Sequence, residues 1–502
     1  MCSMWRVITR SQAEAQHLEP DAVKPMPSSA KFEKRKTIAL LPWGNVIEEF
    51  LDTLGISLET FCTEFRGSWF FNYVDALNTV DVRTVIVCIS ARVDAPQRFV
   101  HRPTGARISV LPVWGAYKIL RRRMINPYGR TVDKAFGKLE GASRLLILLL
   151  AMLREGVLYL TTPLKLLAKE LRRESCDAIL CQEYEYPRFD ACVLLGKLLR
   201  LPVFATFQGG DSQRSHVERL IRPLTLRLSH GLIIGTQSEI DRVGGRYGKA
   251  VPKVTQIFNP IDLKKWHPDE RGIARAALRL PGNARIVAWH GRVSVWQKGL
   301  DILLDAWRQI CQNKQKEHDF RLLMVGTGAD AEQLQRRLAN AELPGITWVN
   351  EFVNDPERIR RYLCAADVYV FPSRHEGFPV APIEAMACGL PVVAAAAQGI
   401  PDIFVAGESS GGIVVPRENA SELAFALERV LNDPNLGLDL GSRARARVEA
   451  AFSLMEVGHR LRDFMFENAT VQQRGLRCKQ RITENDFICD EVETATKTVG
   501  RL

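Results

Sequence analysis

The chain has 502 residues, too many for one hydrophobic core, so its length predicts two or three domains. A hydrophobic content of 46% with 25% charged residues is typical of a globular protein that folds in water. The net charge of +11 at pH 7 favours anionic partners. Because no nucleic-acid-binding motif accompanies that charge, we expect no nucleic-acid partner.

The cysteines indicate the compartment. Eleven occur, scattered singly, with neither a C-x-x-C pair nor the spacing of a metal site. An odd, unpatterned set of this kind is typical of the reducing cytosol, where disulfides are rare. The N-terminal sequence MCSMWRVITRSQAEAQ lacks the apolar segment that a signal peptide needs. We therefore expect a cytoplasmic protein.

Strand and helix patterns alternate along the first half of the chain. Residues 1–35 are polar and irregular, and we expect them to form an N-terminal extension. Short β-branched, apolar runs then predict strands at 36–43, 83–90, 106–114, 177–185, 202–210 and 231–238. Helical patterns lie between most of these runs, as in a parallel sheet covered on both faces. The series predicts a Rossmann-like domain over residues 36–258.

The segment 144–173 contains an apolar run, LLILLLAML at 145–153, between two arginines. This run is too short to span a bilayer, which needs about 20 residues. With the basic run KILRRR at 118–123, the segment could instead lie on an anionic membrane surface, its cations at the headgroups. A buried helix of the first domain is the alternative. The sequence leaves both open.

A second series of strands predicts another domain of the same kind over residues 259–451. Its strands are predicted at 284–292, 320–328, 345–352, 367–373, 391–397 and 411–415. A helical pattern at 452–467 is expected to return to the first domain, and the polar residues 470–502 predict a disordered tail. The expected fold class is α/β, with two parallel-sheet domains facing a central crevice.

The most informative motif runs from Phe371 to Ala394 and reads FPSRHEGFPVAPIEAMACGLPVVA. A buried strand precedes a loop, a helix is expected to begin near Pro382, and Gly389 ends that helix before the next strand. In such a unit the loop and the helix N-terminus face the crevice at the carboxyl edge of the sheet. Backbone N–H groups can then point at an anion. The carboxylates of Glu376 and Glu384 are expected beside them.

This motif resembles the donor site of the retaining glycosyltransferases of family 4, the glycosyl transferases group 1, which have the GT-B fold. The resemblance implies transfer of a hexosyl unit from a nucleoside-diphosphate sugar to an acceptor hydroxyl. Glu376 would contact the reacting sugar as a catalytic residue, and Glu384 would hold the ribose. The other residues of this motif that the resemblance assigns to donor binding are Gly377, Phe378, Pro379 and Val380.

Two cations follow the first strand of the second domain. Arg292 and Lys298, in HGRVSVWQKG, match the pattern with which the family binds the diphosphate. Preorganised cations there stabilise the charge that develops on the leaving diphosphate. Gly326 resembles the family's glycine turn near the nucleotide. Because the chain contains no D-x-D motif, we expect neither a metal nor another cofactor.

The first domain departs from the family pattern at two positions. Where family members usually have a histidine near the donor sugar, this chain has Gln208, which can hydrogen-bond a hydroxyl but carries no charge at neutral pH. A glycine pair expected after the first strand is reduced to Gly44. Both residues are still expected at the site. A GT-B nucleotide-binding protein with impaired catalysis is therefore an alternative.

A dinucleotide fingerprint provides a second, remote alternative. Gly326, Gly328 and Ala331 have G-x-G-x-x-A spacing between a strand and a helix, and Glu351 follows at a suitable distance. An NAD(P)-dependent oxidoreductase would, however, leave Glu376 without a role. The expected partners are a nucleotide sugar and a glycan or lipid-linked acceptor. The expected process is polysaccharide or lipid-linked glycan synthesis. It could take place at the inner face of a membrane.

Overall fold

The structure is a computed structural model that describes residues 35–42, 44–66, 69–122, 124–126, 132–137, 143–207, 216–314 and 319–467. The expected tail 470–502, the N-terminal extension up to residue 34 and Gln208 lie outside the described residues. The described strands form two sheets, one in each half of the chain.

The first sheet has eight strands in the order β3-β4-β2-β1-β5-β6-β7-β8. They are β1 (Thr37–Leu41), β2 (Arg83–Ser90), β3 (Gln97–Val100), β4 (Arg107–Pro112), β5 (Ala178–Cys181), β6 (Val203–Phe207), β7 (Gly231–Ile234) and β8 (Val254–Gln256). All pairings are parallel except that of β3 with β4. The sequence pattern did not predict β3 and β8, because these short edge strands carry mostly polar or partly exposed residues.

Helices cover both faces of the first sheet. Along β1, Ile38 and Leu40 belong to one apolar layer, and Ala39 and Leu41 belong to the other, as the two-residue period of a strand requires. The surrounding helices are α1 (Glu48–Leu54), α2 (Leu58–Thr63), α3 (Trp69–Thr79), α4 (Gly115–Arg121), α5 (Val132–Phe136), α6 (Arg144–Tyr159), α7 (Leu164–Arg173), α8 (Pro187–Leu199), α9 (His216–Leu228) and α10 (Gln237–Tyr247).

The second sheet has six parallel strands in the order β11-β10-β9-β12-β13-β14. They are β9 (Arg285–His290), β10 (Phe320–Val325), β11 (Ile346–Val349), β12 (Val368–Phe371), β13 (Val392–Ala395) and β14 (Gly412–Val415). The helices are α11 (Arg271–Ala277), α12 (Leu300–Lys314), α13 (Ala331–Ala341), α14 (Pro356–Cys364), α15 (Ala381–Ala387), α16 (Ile400–Ile403), α17 (Ala420–Asn432) and α18 (Pro434–Ala451). The predicted fold class of two parallel-sheet α/β domains is confirmed.

The last described helix, α19 (Leu454–Arg462), returns from the second domain to the first. Ser453 caps it by accepting a hydrogen bond from the N–H of Glu456. Val457 is buried in the core of the first domain. Gly458 lies so close to α3 that a Cβ there would be 2.2 Å from the carbonyl oxygen of Ala76. The close packing of α19 on α3 therefore joins the two domains a second time, far along the sequence from the first connection near residues 258–259.

Candidate active site

The candidate site is built from two loops at the carboxyl edge of the second sheet. Loop 291–299 follows β9, and loop 372–380 follows β12 and leads into α15. Because β9 and β12 are adjacent and parallel, both loops leave the sheet at the same edge. Gly299 has a φ of +63°, and a Cβ there would lie 2.0 Å from the carbonyl oxygen of Pro372. The backbones of the two loops are therefore in contact.

An ion pair joins these loops at the mouth of the crevice. The Nζ of Lys298 donates to Oε1 of Glu376 at 2.6 Å, and the two side chains are 17% and 10% exposed, respectively. A hydrogen bond between two charged groups at this distance is strong and directional. The structure thus brings together two residues that the sequence predicted separately. The pair sets a cation for an anionic ligand next to a carboxylate that can accept hydrogen bonds from hydroxyls.

A second pair lies beside the first. Glu384, in the first turn of α15, has its Oε2 2.9 Å from Nε2 of His290. The Nδ1 of His290 is buried, and in the part of the chain that the structure describes it has no hydrogen-bond partner. The sequence analysis did not select His290. Its position as the last residue of a strand, at the edge where the site lies, was the available signal.

Arg374 is the other residue that the sequence analysis missed. Its guanidinium donates to both carboxylate oxygens of Asp301, at 2.7 and 2.8 Å, and to the carbonyl oxygen of Trp296 at 2.8 Å. Burial alone would raise the pKa of Asp301, but the hydrogen bonds and charge of Arg374 outweigh it and lower that pKa below its ordinary value. Arg374 therefore fastens loop 372–380 to α12 and to loop 291–299, and so fixes the backbone next to Glu376.

Arg292 lies in the same loop as Lys298 but is exposed. Its guanidinium donates to Oε1 of Gln297 at 3.2 Å. An exposed arginine held only by a neutral amide in its own loop can turn toward a diphosphate at little cost. The structure therefore places both predicted cations on one loop, with Lys298 already fixed by Glu376.

Gly326 and Gly328 serve tight backbone packing. The N–H of Gly326 donates to the carbonyl oxygen of Val349 at 3.0 Å. A Cβ at Gly326 would lie 1.9 Å from the carbonyl oxygen of Gly291, and one at Gly328 would lie 2.2 Å from that of Val293. Both glycines therefore allow the loop after β10 to lie against loop 291–299. In a dinucleotide fingerprint the glycines instead let a pyrophosphate approach the backbone.

Phe378 connects the donor-site motif to the first domain. Its buried ring stacks on Phe258, with 5.4 Å between ring centroids. A Cβ on Gly235, directly after β7, would lie 3.0 Å from the same ring. The side chain of Phe378 thus fills the interface between the domains. Among the described residues, the N–H groups of Gly377 and Phe378 have no hydrogen-bond partner, so they remain available to an anion.

Pro379 and Val380 position the helix that carries Glu384. Pro379 is buried, and a Cβ on Gly399 would lie 2.8 Å from its ring. The carbonyl oxygen of Val380 accepts from the N–H of Glu384 at 3.0 Å, which forms the first turn of α15. The two residues therefore act through the backbone. They fix where Glu384 stands relative to His290.

Gly44 lies at the carboxyl edge of the first sheet, three residues after the end of β1 at Leu41. It has a φ of +81°, which favours glycine. The neighbouring carbonyl oxygen of Asn45 accepts from the buried guanidinium of Arg188 at 2.7 Å. The backbone of the loop that carries Gly44 is therefore fixed by this hydrogen bond from the buried Arg188. Gln208, predicted at the same edge, lies outside the described residues.

The first domain contacts the second through the segment that follows β7. Oδ1 of Asp402 accepts from the N–H of Gln237 at 2.9 Å and from Nε2 of Gln256 at 2.7 Å. Gln237 is the first residue of α10, and the preceding Thr236 provides no side-chain cap. Asp402, from the second domain, therefore caps a helix of the first domain. Burial raises the pKa of the Asp402 carboxyl, against the opposing effect of these hydrogen bonds.

A cavity of about 710 Å³ lies between the domains beside this contact. Its lining combines the first-domain residues Gln237, Ser238, Arg242 and Gln256 with second-domain residues that include 396–399, Asp402, Arg417 and Arg447. Ligand sites in proteins usually fall in this size range. Neither Glu376 nor Lys298 is among the residues that line it, so this cavity does not contain the Lys298–Glu376 ion pair.

Two Rossmann-like domains that meet across a crevice at their carboxyl edges define the GT-B class of glycosyltransferase folds. The architecture resembles that of sucrose-phosphate synthase from Thermosynechococcus elongatus, with a TM-score of 0.59 and 20% sequence identity over 87% of this chain and 100% of that one. It also resembles Anabaena Alr3699/HepE in complex with UDP and glucose, with a TM-score of 0.55 and 15% identity over 85% of this chain and 98% of that one. The predicted GT-B fold is confirmed.

The family model for glycosyl transferases group 1 matches residues 284–433, a range that contains the Lys298–Glu376 ion pair, the His290–Glu384 hydrogen bond and Arg292. Residues 284–433 are therefore similar to glycosyl transferases group 1, as the motif at 371–394 predicted. A D-inositol 3-phosphate glycosyltransferase of Saccharomonospora viridis is 29% identical over 250 residues, 49% of this chain and 57% of the relative. The match thus spans little more than half of that relative's length.

Proposed function

We propose that the protein is a retaining glycosyltransferase of family 4 that transfers a hexosyl unit from a nucleoside-diphosphate sugar to an acceptor hydroxyl. The observation that carries this proposal is the contact between Lys298 and Glu376 within the matched domain. It sets a cation suited to a leaving diphosphate against a carboxylate suited to a sugar. Next to this ion pair in the sequence, the N–H groups of Gly377 and Phe378 have no hydrogen-bond partner among the described residues.

The chemistry follows from where charge develops. When the bond between the anomeric carbon and the diphosphate breaks, negative charge grows on the diphosphate and positive charge on the sugar ring. The negative charge on the diphosphate can be stabilised by Lys298, Arg292 and the backbone N–H groups of Gly377 and Phe378. Glu376 can hydrogen-bond the sugar and stabilise the positive charge on its ring. The diphosphate can then accept the proton of the acceptor hydroxyl on the same face. In this proposal the protein cations carry out the role that a metal has in other glycosyltransferases.

Glu384 is proposed to hold the ribose of the nucleotide. One of its oxygens is fixed by His290, so the other is directed toward a ligand hydroxyl without loss of side-chain freedom on binding. Arg374 is proposed as a positioning residue, because it holds the loop on which Glu376 stands.

The donor and acceptor are proposed by class. One structure of the same fold contains UDP and glucose, which makes a uridine-diphosphate hexose the first donor to test. We propose a glycan or lipid-linked acceptor in polysaccharide or lipid-linked glycan synthesis, at the cytoplasmic face of a membrane. Eight cysteines in the described part of the chain are free and buried, which supports a reducing compartment.

A nucleotide-binding protein with impaired catalysis is the second candidate. It is favoured by Gln208, which stands where the family usually has a histidine and cannot carry that residue's charge. The alternative hypothesis of an NAD(P)-dependent oxidoreductase is no longer supported. Gly326 and Gly328 are occupied with packing against loop 291–299, and the family model assigns the surrounding domain to glycosyltransferases.

Isothermal titration followed by a turnover assay tests the proposal. We expect UDP or GDP to bind, NAD(H) and NADP(H) not to bind, and the matching nucleotide sugar to be slowly hydrolysed in the absence of an acceptor. Binding of a nucleoside diphosphate without turnover of any nucleotide sugar would favour the second candidate. Binding of a dinucleotide alone would overturn both.

A further inference from the structure

Helix α6 exposes apolar side chains that a globular domain normally buries. Leu145 is 67% exposed and Leu149 is 54% exposed, and these are flanked by five more exposed apolar residues. The five are Leu146, Ile147, Leu148, Met152 and Leu153. A contiguous apolar surface of this kind marks an interaction site in a soluble protein. The alternative of a buried helix is therefore wrong for the N-terminal half of α6.

The C-terminal half of α6 is anchored to the first domain. Val157 is buried in a cluster whose other members include Val46, Ile89 and Val113, at the ends of β1, β2 and β4. The hydroxyl of Tyr159 donates to Oδ2 of Asp190 at 2.9 Å. One half of the helix is thus fixed at the crevice edge of the sheet, and the other half presents its side chains to the surroundings.

The exposed charges around this surface are mainly basic, although α5, which packs on α6, carries the exposed Asp133. The exposed charged residues of α6 and α7 are all basic: Arg144, Lys165, Lys169, Arg172 and Arg173. The two acidic residues of these helices, Glu155 and Glu170, are buried. Glu170 is held by Arg98 and Ser109. Among the exposed cations of α6 and α7, Arg173 has an acidic neighbour, with its Nε 4.0 Å from Oε1 of Glu174. An apolar helix surrounded by an excess of cations is complementary to a surface that is apolar inside and anionic outside.

A second copy of the chain fits this surface less well than lipid does. A two-fold interface through α6 would place two surfaces with an excess of basic residues against each other, and like charges disfavour such pairing. By length and composition alone, the segment Arg144–Arg173 is apolar enough to cross a membrane. A turn at residues 160–163 divides it into α6 and α7, however, and Val157 is fixed in the domain. The segment is therefore built to lie on a bilayer.

We propose that the N-terminal half of α6 inserts into the headgroup region of an anionic bilayer, with the cations of α6 and α7 against lipid phosphates. This surface is remote in sequence from the ion pairs of the second domain. Membrane binding is therefore independent of whether the protein transfers sugar.

Vesicle co-sedimentation of the full chain tests the proposal. We expect binding to vesicles of phosphatidylcholine with phosphatidylglycerol, weaker binding to phosphatidylcholine alone, and release at about 1 M salt, where charges are screened beyond about 3 Å. Leu145→Gln/Leu149→Gln should reduce partitioning at least tenfold. Lys165→Glu/Lys169→Glu should reduce it by about fivefold for each cation removed, and only with anionic lipid.

Matched controls come from exposed residues of the second domain. Phe425→Gln/Leu438→Gln removes exposed apolar area elsewhere, and Arg336→Glu/Arg337→Glu reverses exposed charge elsewhere; both should bind vesicles like the wild type. Thermal unfolding and nucleotide titration show whether each variant is folded. Failure of the wild-type chain to bind either vesicle, or wild-type binding by the Leu145/Leu149 variant, would overturn the proposal. So would a dimer in sedimentation equilibrium that this variant dissociates while vesicles remain unbound.

Discussion

The carboxyl edges of the two sheets both carry charged pairs, but they satisfy them differently. In the first domain Arg222 donates to Asp190 at 2.9 Å, and both side chains are only 1% exposed. Asp190 also accepts a hydrogen bond from the hydroxyl of Thr225, and the Nη2 of Arg222 donates to the backbone carbonyl of Glu185. In the second domain the pairs at Glu376 and Glu384 keep partial exposure, next to amides that have no partner among the described residues.

This difference separates stability from binding. A charge sealed inside a fully partnered network contributes to the fold, and its removal leaves a buried charge without compensation. A charge at a crevice with a single partner can exchange that partner for a ligand. Both domains have the same architecture, so the division of roles between the Asp190–Arg222 pair and the Lys298–Glu376 pair is set by how completely each pair is hydrogen-bonded and buried.

The largest expected effect is on stability in the first domain. Asp190→Ala leaves Arg222 buried without its carboxylate, and we expect it to lower the free energy of unfolding by about 3–5 kcal/mol. Glu408→Ala, which breaks an exposed pair with Arg429, should cost less than about 1 kcal/mol. Chemical denaturation of both variants measures the difference. Equal costs would show that the network of the first domain is not the stabilising element described here.

The next effect is on ligand affinity in the second domain. Lys298→Ala and Arg292→Ala each remove a charged hydrogen bond to the diphosphate, so each should weaken nucleoside-diphosphate binding by about 1.5–3 kcal/mol. Arg308→Ala, an exposed cation on α12, is the control and should bind normally. Isothermal titration gives the affinities. Unchanged affinity in both site variants would remove the assignment of the donor site.

A related effect distinguishes transfer from binding. Glu376→Ala should slow transfer more than it weakens nucleotide binding, because its proposed contact is with the reacting sugar. Gln208→Ala should raise the barrier by about 1–3 kcal/mol, as for one lost polar contact, while Gln208→His should keep or raise the rate. Transfer rate and nucleotide affinity are measured together for all three. A wild-type rate for Glu376→Ala would mean that another site performs the reaction.

The smallest expected effect depends on pH. The folded pKa of Asp301 is depressed, so its contribution to stability is present above the unfolded value near 3.8 and is lost as pH falls through the lower folded value. Asp301→Asn should therefore lower stability by about 1 kcal/mol at neutral pH and by less in acid. Denaturation at both pH values measures this change. A difference from wild type that grows on acidification would contradict the sign; Asp305→Asn, in an exposed pair on α12, serves as control.

The sequence predicted most of the fold and the chemistry of the site, but not its contacts. Strands such as β9 and β12 were predictable because buried parallel strands are continuous apolar runs. Strand β5 was predicted over 177–185 but ends at Cys181, because Glu183 turns the chain with a φ of +65°. The similarity of residues 284–433 to glycosyl transferases group 1 was predicted from the motif at 371–394.

The side-chain contacts required the three-dimensional arrangement. Glu376 and Lys298 were predicted as separate donor-site residues, and only the adjacency of β9 and β12 brings them within a hydrogen bond. Arg374 carries no distinctive local pattern, and the available signal for His290 was its place as the last residue of β9. The apolar run of α6 has the same sequence whether its side chains are buried or exposed. The exposure of those side chains in the fold was needed to choose between a buried helix and a helix on a membrane surface.

Because Asp402 of the second domain caps α10, the N-terminal end of this first-domain helix depends on both domains. If the crevice widens by a few ångströms, α10 loses its cap and the N–H of Gln237 is left without its partner, which costs about 1 kcal/mol. Opening and fraying of α10 are thus a single event. Because burial at this contact raises the pKa of Asp402, proton uptake favours the present arrangement of the domains over one in which Asp402 is exposed.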